Sequence, residues 1–202
     1  MKKNIKKIGI DIDNTLTSLD IVLEAMAEHY KKPIPSVDDV IDYNISSVYG
    51  ISEEEAFDFW EKNERWICTE SNKCPILSKT IKDNFIHDDS EVYIITARNG
   101  KYQEETARWL EENDIKYHML IMTDGRSKKP IIEHFNLDMM IDDKPDLFYE
   151  MKDSDTTMVC VDYGYNKGVP CDIRITREGK VLKDGNKKIE PDSYVVVPVV
   201  CR

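Results

Sequence analysis

The segment from Ile8 to Thr15 most constrains what this chain can fold into, because an apolar run there ends in two carboxylates spaced one residue apart. Successive side chains of a β-strand alternate between its faces. Asp11 and Asp13 are therefore predicted to point the same way, with Ile12 pointing into the protein. Neighbouring carboxylates repel each other unless a proton or a cation lies between them. Taken alone, this segment is equally typical of a capped turn.

Three later segments carry residues of the same chemical kind. One short apolar run ends in Thr96, and another ends in Asp142 and Asp143. Lys128 and Lys129 precede a predicted helix. Short β-branched runs indicate buried strands, and functional sites of open α/β sheets lie at the carboxyl ends of strands. Together, in this order, these residues indicate one functional site.

This arrangement resembles the haloacid dehalogenase superfamily of phosphohydrolases, from the first strand to about Val161. The superfamily's four motifs correspond, in order, to Asp11, Asp13 and Thr15, to Thr96, to Lys128 or Lys129, and to Asp142 and Asp143. Residues 51–66 and 141–148 look most like 5′(3′)-deoxyribonucleotidases and their uncharacterised bacterial relatives. The characterised nucleotidases carry Gly-Val where this chain has Asn14-Thr15, so the motif defines the chemistry more closely than the substrate.

The resemblance implies roles for each motif residue. Asp11 would attack phosphorus and form an aspartyl-phosphate. Asp13 would protonate the leaving oxygen and then deprotonate the hydrolytic water. Thr96 and Lys128 would hold the phosphoryl group, and Lys128 would also steady the nucleophile. Lys128 is preferred for its spacing to the acidic pair, although Lys129 is not excluded.

Mg²⁺ is the cofactor that the resemblance implies. It is a hard, six-coordinate cation that needs one or two carboxylates, waters and a substrate phosphate oxygen. Its ligands would be the Asp11 carboxylate, the Asp13 main-chain carbonyl and one acid of the pair. We expect Asp143 to be the direct ligand and Asp142 to lie in the outer shell.

Residues 17–75 show apolar side chains at helical spacing, and Ser52 with Glu55 forms a predicted capping box. Beyond them, strands alternate with helices, which implies a parallel sheet covered on both faces. We predict an α/β fold in which a doubly wound parallel (Rossmann-like) sheet forms the catalytic core, residues 1–16 and 76–202. A small helical cap, residues 17–75, is inserted after the first strand.

Substrate contacts are expected from the cap and from the turn after Thr96. The cap aromatics that could stack on a base are Phe57, Phe59, Trp60 and Trp66. Trp60 is our candidate, with burial in the core as the alternative for aromatics at helical spacing. Arg98 is expected to be exposed, because Asn-Gly follows it, and to help hold the substrate.

The C-terminal part lacks the strand–helix alternation. Ile173–Thr176 and Val181–Leu182 flank a turn signal, and Val195–Val200 is a further apolar run. We predict a small β appendage or edge strand here, which is a candidate for homodimer formation.

Composition limits the partners. The net charge of −11 over 202 residues argues against nucleic-acid polymers and anionic membranes. No stretch approaches the roughly 20 apolar residues of a membrane span, and no signal sequence follows the N-terminal lysines, so a cytoplasmic location is expected. The five cysteines are irregularly spaced, which favours free thiols over a zinc site.

The preferred function is a magnesium-dependent phosphomonoesterase acting on a small phosphorylated metabolite, with nucleoside 5′(3′)-monophosphates as the first candidates. A sugar phosphate or another phosphomonoester is the alternative substrate. Two other classes stay open: a dehalogenase that attacks carbon through Asp11, and a phospho-accepting signalling module. Asp13 argues against the first, and the helical insertion argues against the second.

Overall fold

A computed structural model describes residues 5–183 of the chain. Its strands are β1 (Lys7–Ile10), β2 (Glu91–Thr96), β3 (Met119–Met122), β4 (Met139–Asp142), β5 (Thr157–Val161), β6 (Ile173–Ile175) and β7 (Val181–Lys183). Its α-helices are α1 (Asp20–Tyr30), α2 (Glu53–Glu70), α3 (Pro75–Phe85), α4 (Gln103–Glu112), α5 (Lys129–Phe135) and α6 (Pro145–Met151). Within the described part of the chain, no helix is long and apolar enough to cross a membrane.

The strands form one sheet in the order β3-β2-β1-β4-β5-β6-β7. All neighbours pair in parallel except β6 and β7, which form an antiparallel edge. Both faces are covered, since the adjacent residues Ile94 and Ile95 are fully buried in different hydrophobic clusters. The predicted doubly wound parallel sheet is therefore confirmed, with β6 and β7 as the predicted β appendage. The run Val195–Val200 lies outside the described residues.

The chain between β1 and β2 contains α1, α2 and α3. It leaves and re-enters the core through a narrow neck, where Thr17 bridges Lys73 and the Cys74 N–H donates to the Leu16 carbonyl at 2.8 Å. This neck lies at the predicted cap limits, although the boundaries 17–75 remain a prediction. The predicted capping box of α2 is confirmed, with side chain and backbone paired in both directions.

Helix α2 lies against α4 of the core. Arg65 forms an ion pair with Glu105 at 3.3 Å, and the Trp109 indole N–H donates to the Ser71 carbonyl at 2.7 Å. The ion pair contributes little to stability, because its Arg65 side chain is exposed, whereas Trp109 is buried. These contacts fix α2 beside the carboxyl ends of the strands.

The strand register brings the motif residues to one edge of the sheet. Ile10 of β1 pairs with Ile94 of β2 and with Ile141 of β4. Because these strands run in parallel, the residues that follow them emerge side by side. The four described cysteines are unpaired, and Cys201 lies outside the described residues.

Candidate active site

The turn after β1 orients the first two acids. The Asp11 N–H continues the ladder to the Ile141 carbonyl at 3.0 Å, and the Ile12 carbonyl then accepts the N–H groups of residues 15, 16 and 17. Ile12 is fully buried, while Asp11 and Asp13 line the same cavity. The predicted orientation of this pair is confirmed.

Asn14 occupies the left-handed region of backbone space, with φ of 58°. This region favours glycine and tolerates asparagine. Asn14 therefore adopts a turn conformation that glycine also allows, and it adds a side chain. Its amide nitrogen lies 3.3 Å from Asp143 Oδ2, so the departure from the family motif places a hydrogen-bond donor in the site.

Lys128, rather than Lys129, points into the site. Its ammonium lies 2.7 Å from Asp11 Oδ1 and 2.7 Å from Asp142 Oδ2, and the residue is almost fully buried. Lys129 is directed outward and lies 3.8 Å from Glu133. The structure therefore places Lys128, and not Lys129, beside the acidic cluster, and the role of Lys128 in holding the phosphoryl group remains a prediction.

The two acids of the pair after β4 have different surroundings. Asp142 Oδ1 accepts the N–H groups of Asp143 and Lys144, both at 2.9 Å, and Asp142 Oδ2 contacts Lys128. Asp143 Oδ2 accepts the Tyr165 hydroxyl, but Asp143 Oδ1 has no partner. Both oxygens of Asp142 therefore have partners within the protein. Asp143 keeps one oxygen without a hydrogen-bond partner, as its predicted role of direct metal ligand requires.

The residues present fit a hard divalent cation. Asp11, Asp142 and Asp143 are buried and place carboxylate oxygens within 4.8 Å of one another. Asp11 Oδ1 and Asp143 Oδ1 have no hydrogen-bond partner, although the Lys128 ammonium forms an ion pair with the former. When all three carboxylates are ionised, Lys128 leaves two negative charges uncompensated. A buried charge of this kind needs a counter-ion, and Mg²⁺ accepts this donor type.

Burial raises the pKa of Asp11 to about 7, opposed in part by Lys128 and reinforced by Asp142 and Asp13. Burial also raises the pKa of Asp143 well above its ordinary value, with Asp142 and Asp11 adding to the effect. The same two acids, Asp11 and Asp142, raise the pKa of Lys128 although burial opposes its charge. The cluster therefore favours binding of a proton or a cation.

Arg98 forms a bidentate salt bridge with the Asp13 carboxylate. Its Nε donates to Asp13 Oδ2 at 2.9 Å and its Nη2 to Asp13 Oδ1 at 2.8 Å, while Nη1 donates to the Cys68 carbonyl of α2 at 3.2 Å. Only 5% of Arg98 is exposed. The prediction of an exposed Arg98 is wrong, because these acceptors draw the guanidinium into the gap between core and α2. Its role in substrate binding remains a prediction.

Thr96 is the last residue of β2 and is fully buried. Its hydroxyl oxygen accepts the N–H of Arg98 at 3.3 Å. The next residue, Ala97, lines the cavity. The predicted contact between Thr96 and a phosphoryl oxygen remains a prediction.

A cavity of about 430 Å³ opens above Asp11, within the size range of small-molecule sites. Among its lining residues are three aromatics, Tyr43, Phe57 and the half-buried Trp60. Phe59 is instead buried in the hydrophobic cluster. Phe57 and Trp60 of α2 thus line the cavity and Phe59 lies in the core, and Trp60 also packs against the core cluster.

Some residues of the site were not predicted from the sequence. Lys144 lines the cavity, and Asn14 and Tyr165 contact Asp143. The positions of Lys144 and Asn14, beside predicted motif residues, could have indicated them. Tyr165 lies beyond β5 with no motif around it, so only the fold reveals its place.

No family model matches the chain. In sequence, it is 25% identical over 180 residues to Putative nucleotidase YqfW of Bacillus subtilis, covering 88% of this chain and 90% of that protein. It is 26% identical over 141 residues to Putative nucleotidase BH1399 of Halalkalibacterium halodurans, covering 70% and 71%.

Solved structures show the same architecture. A haloacid dehalogenase-like hydrolase, SP0104 from Streptococcus pneumoniae, superposes with a TM-score of 0.56 at 13% identity, covering 87% of this chain and 95% of that one. A putative beta-phosphoglucomutase from Thermotoga maritima gives 0.52 at 14% identity, covering 86% and 95%. At these identities the likeness shows the fold alone. The resemblance stated from the motifs is confirmed by sequence relatives that carry the name Putative nucleotidase and by a haloacid dehalogenase-like fold.

Proposed function

We propose that this protein, which has the haloacid dehalogenase-like fold, is a magnesium-dependent phosphomonoesterase acting through an aspartyl-phosphate. The observation that carries the proposal is the buried cluster of Asp11, Asp142 and Asp143 beside Lys128. Cleavage of a phosphomonoester needs a nucleophile, positive charge around the phosphoryl oxygens and a proton for the leaving alcohol. The cluster supplies the first two.

In the first step, an Asp11 oxygen attacks phosphorus and the bond from phosphorus to the leaving alcohol oxygen breaks. The Lys128 ammonium, 2.7 Å from Asp11 Oδ1, steadies the nucleophile and attracts the phosphoryl group. Mg²⁺, held by the carboxylates of Asp11 and Asp143, would neutralise charge on the phosphoryl oxygens. Thr96 would add its hydroxyl or backbone N–H to one of these oxygens.

Asp13 is the proposed proton carrier of both steps. It lines the cavity beside Asp11, and 30% of its side chain is exposed. Both of its oxygens accept hydrogen bonds from Arg98, so one oxygen must turn toward the cleft to protonate the leaving alcohol. In the second step, Asp13 takes a proton from the water that splits the aspartyl-phosphate. The other Asp13 oxygen keeps its hydrogen bond to Arg98, which holds the carboxyl group beside the cleft.

The proposed substrate class is nucleoside 5′(3′)-monophosphates. Phe57 and Trp60 line the same cavity as Asp11, and aromatic side chains of this kind can stack on a base. The two relatives that carry the name Putative nucleotidase support this choice. Another small phosphomonoester, such as a sugar phosphate, remains the alternative.

The test is a phosphatase screen of the full chain, with Mg²⁺ and with excess EDTA. Substrates are deoxyribonucleoside and ribonucleoside 5′- and 3′-monophosphates, glucose 6-phosphate and p-nitrophenyl phosphate. We expect phosphate release only with Mg²⁺, fastest on a nucleotide. Full activity in EDTA would contradict the magnesium-dependent mechanism. Faster hydrolysis of glucose 6-phosphate than of any nucleotide would favour a sugar phosphate as the substrate class. The homodimer and the cytoplasmic location remain predictions.

A further inference from the structure

Tyr165 lies in a short turn after β5 and reaches the acidic cluster. Its hydroxyl donates to Asp143 Oδ2 at 2.5 Å. The Asn14 amide nitrogen lies 3.3 Å from the same carboxylate oxygen and 3.3 Å from the Tyr165 hydroxyl. Asn14 and Tyr165, neither of which was assigned a role from the sequence, therefore meet on one oxygen of Asp143.

The Tyr165 ring is held on both sides. It stacks on Tyr163, with ring centroids 5.2 Å apart and planes at 3°, and it meets the edge of Tyr43 at 5.5 Å. The Tyr163 hydroxyl in turn donates to the Asn14 carbonyl at 2.9 Å. These contacts fix the position of the Tyr165 hydroxyl, so it can orient Asp143 rather than follow it.

The backbone at Asp143 is held as well. The buried Asn166 side-chain amide donates to the carbonyls of Asp143 and Val161, both at 2.8 Å. With its backbone and Oδ2 both engaged, Asp143 has one unpartnered oxygen, Oδ1, which is buried in the cluster. The carboxylate is therefore arranged to offer a single oxygen to a ligand.

We propose that Tyr165 is a positioning residue that makes Asp143 a one-oxygen ligand, and thereby favours Mg²⁺ over Ca²⁺. The inference rests on the metal site of the proposed function. Mg²⁺ demands near-octahedral geometry, whereas Ca²⁺ accepts two oxygens of one carboxylate in a larger, more flexible shell. A hydroxyl on Oδ2 competes with two-oxygen coordination. Removing the hydroxyl frees Oδ2 and removes this restriction.

The test is metal binding by Tyr165→Phe, which keeps the ring contacts and removes the hydroxyl. Mn²⁺ binding is followed by the electron paramagnetic resonance signal of free Mn²⁺, and Mg²⁺ and Ca²⁺ are measured as competitors, without substrate. We expect about a tenfold loss of Mg²⁺ affinity, as is typical when a partner of a ligand is removed. Ca²⁺ affinity should fall less, so that the Mg²⁺/Ca²⁺ affinity ratio decreases. An unchanged ratio would overturn the inference.

Tyr49→Phe is the matched control. Tyr49 is a buried tyrosine of the cap region whose hydroxyl donates to the Leu23 carbonyl at 2.6 Å. Its loss should lower the melting temperature without changing either metal affinity. If Tyr165→Phe does not fold, the Mg²⁺/Ca²⁺ affinity ratio is measured in Asn14→Gly instead. Glycine keeps the left-handed turn and removes the second hydrogen-bond donor to Asp143 Oδ2.

The experiment separates this inference from the proposed function. A wild-type protein that binds Mg²⁺ but releases no phosphate would end the proposed function, and the inference would still be decided by the affinity ratio. An active wild-type enzyme whose ratio is unchanged in Tyr165→Phe would overturn the inference alone. A wild-type protein that binds none of the three cations would overturn the inference as well.

Discussion

Arg98 donates two hydrogen bonds to Asp13, of 2.9 Å from Nε and 2.8 Å from Nη2. Its Nη1 donates a third hydrogen bond to the Cys68 carbonyl of α2. One guanidinium thus links the proposed acid/base to the helix that covers the cavity. Burial opposes the charge of Arg98, but Asp13 outweighs it and raises the pKa of the guanidinium. Arg98 therefore stays charged and in place.

Arg98→Lys should lower kcat by about tenfold to a hundredfold with a smaller change in KM. Lysine keeps the charge but cannot hold both oxygens of Asp13 at once, and a misplaced catalytic group costs rate rather than binding. Steady-state kinetics on the preferred substrate measure the effect. Arg65→Lys is the control, because Arg65 is exposed and its ion pair is with Glu105 rather than with a proposed site residue. A change confined to KM would instead assign Arg98 to substrate binding.

Asp11→Asn should reduce turnover to less than about a hundredth of the wild-type rate, because an amide keeps the shape and removes the nucleophile. The fold should change only modestly, and the assay uses saturating Mg²⁺, because Asp11 is also a proposed metal ligand. Phosphate release and a thermal melt are the measurements. Activity above that level would refute the nucleophile.

Asp143→Asn should raise the Mg²⁺ concentration needed for the half-maximal rate, since it removes charge from a proposed direct ligand. Asp142→Asn should mainly lower stability, because Lys128 and two backbone N–H groups lose a charged partner. Metal titrations and melting temperatures of both variants separate the two effects. A shift in metal dependence in Asp142→Asn but not in Asp143→Asn would make Asp142 the direct ligand.

Trp60→Ala should slow hydrolysis of nucleotides by the equivalent of about 1–3 kcal/mol, the contribution of stacking on one base. Hydrolysis of p-nitrophenyl phosphate should stay nearly unchanged, because that substrate carries no base. Kinetics on both substrates, with a thermal melt, are the measurement. Equal losses on both, together with a lower melting temperature, would place Trp60 in the core, as for its neighbour Phe59.

Mg²⁺ should stabilise the protein more at pH 8 than at pH 5.5. The pKa of Asp11 in the folded, metal-free protein is raised from 3.8 to about 7. The stability from its bound proton is therefore complete below about pH 4 and is lost as the pH rises through 7. Below pH 7, Mg²⁺ must also displace that proton. Melting temperatures with and without Mg²⁺ at both pH values test this, and Asp11→Asn should reduce the difference.

Local patterns were sufficient for much of the fold. The alternation around Ile12 and the capping box at Ser52 each depend on contacts within a few residues, so the order of side chains reveals them. The order of strands and helices then implied the parallel sheet. For the same reason, the amino-acid sequence alone was enough to assign the acids and Thr96 to the ends of strands.

Contacts between distant parts of the chain decided the rest. Lys128 and Lys129 are adjacent at the start of one helix, and only the packing of that helix turns the first toward Asp11. Arg98 lies 85 residues from Asp13. The turn residues after Arg98 predicted an exposed side chain, because the acceptors that bury the guanidinium are not part of the local sequence. Tyr165 lies 151 residues from Asn14. Such pairs form only when the sheet brings the ends of its strands together. Sequence analysis could not predict them, because side-chain periodicity indicates which face of one helix or strand is buried and does not indicate which distant residue contacts it.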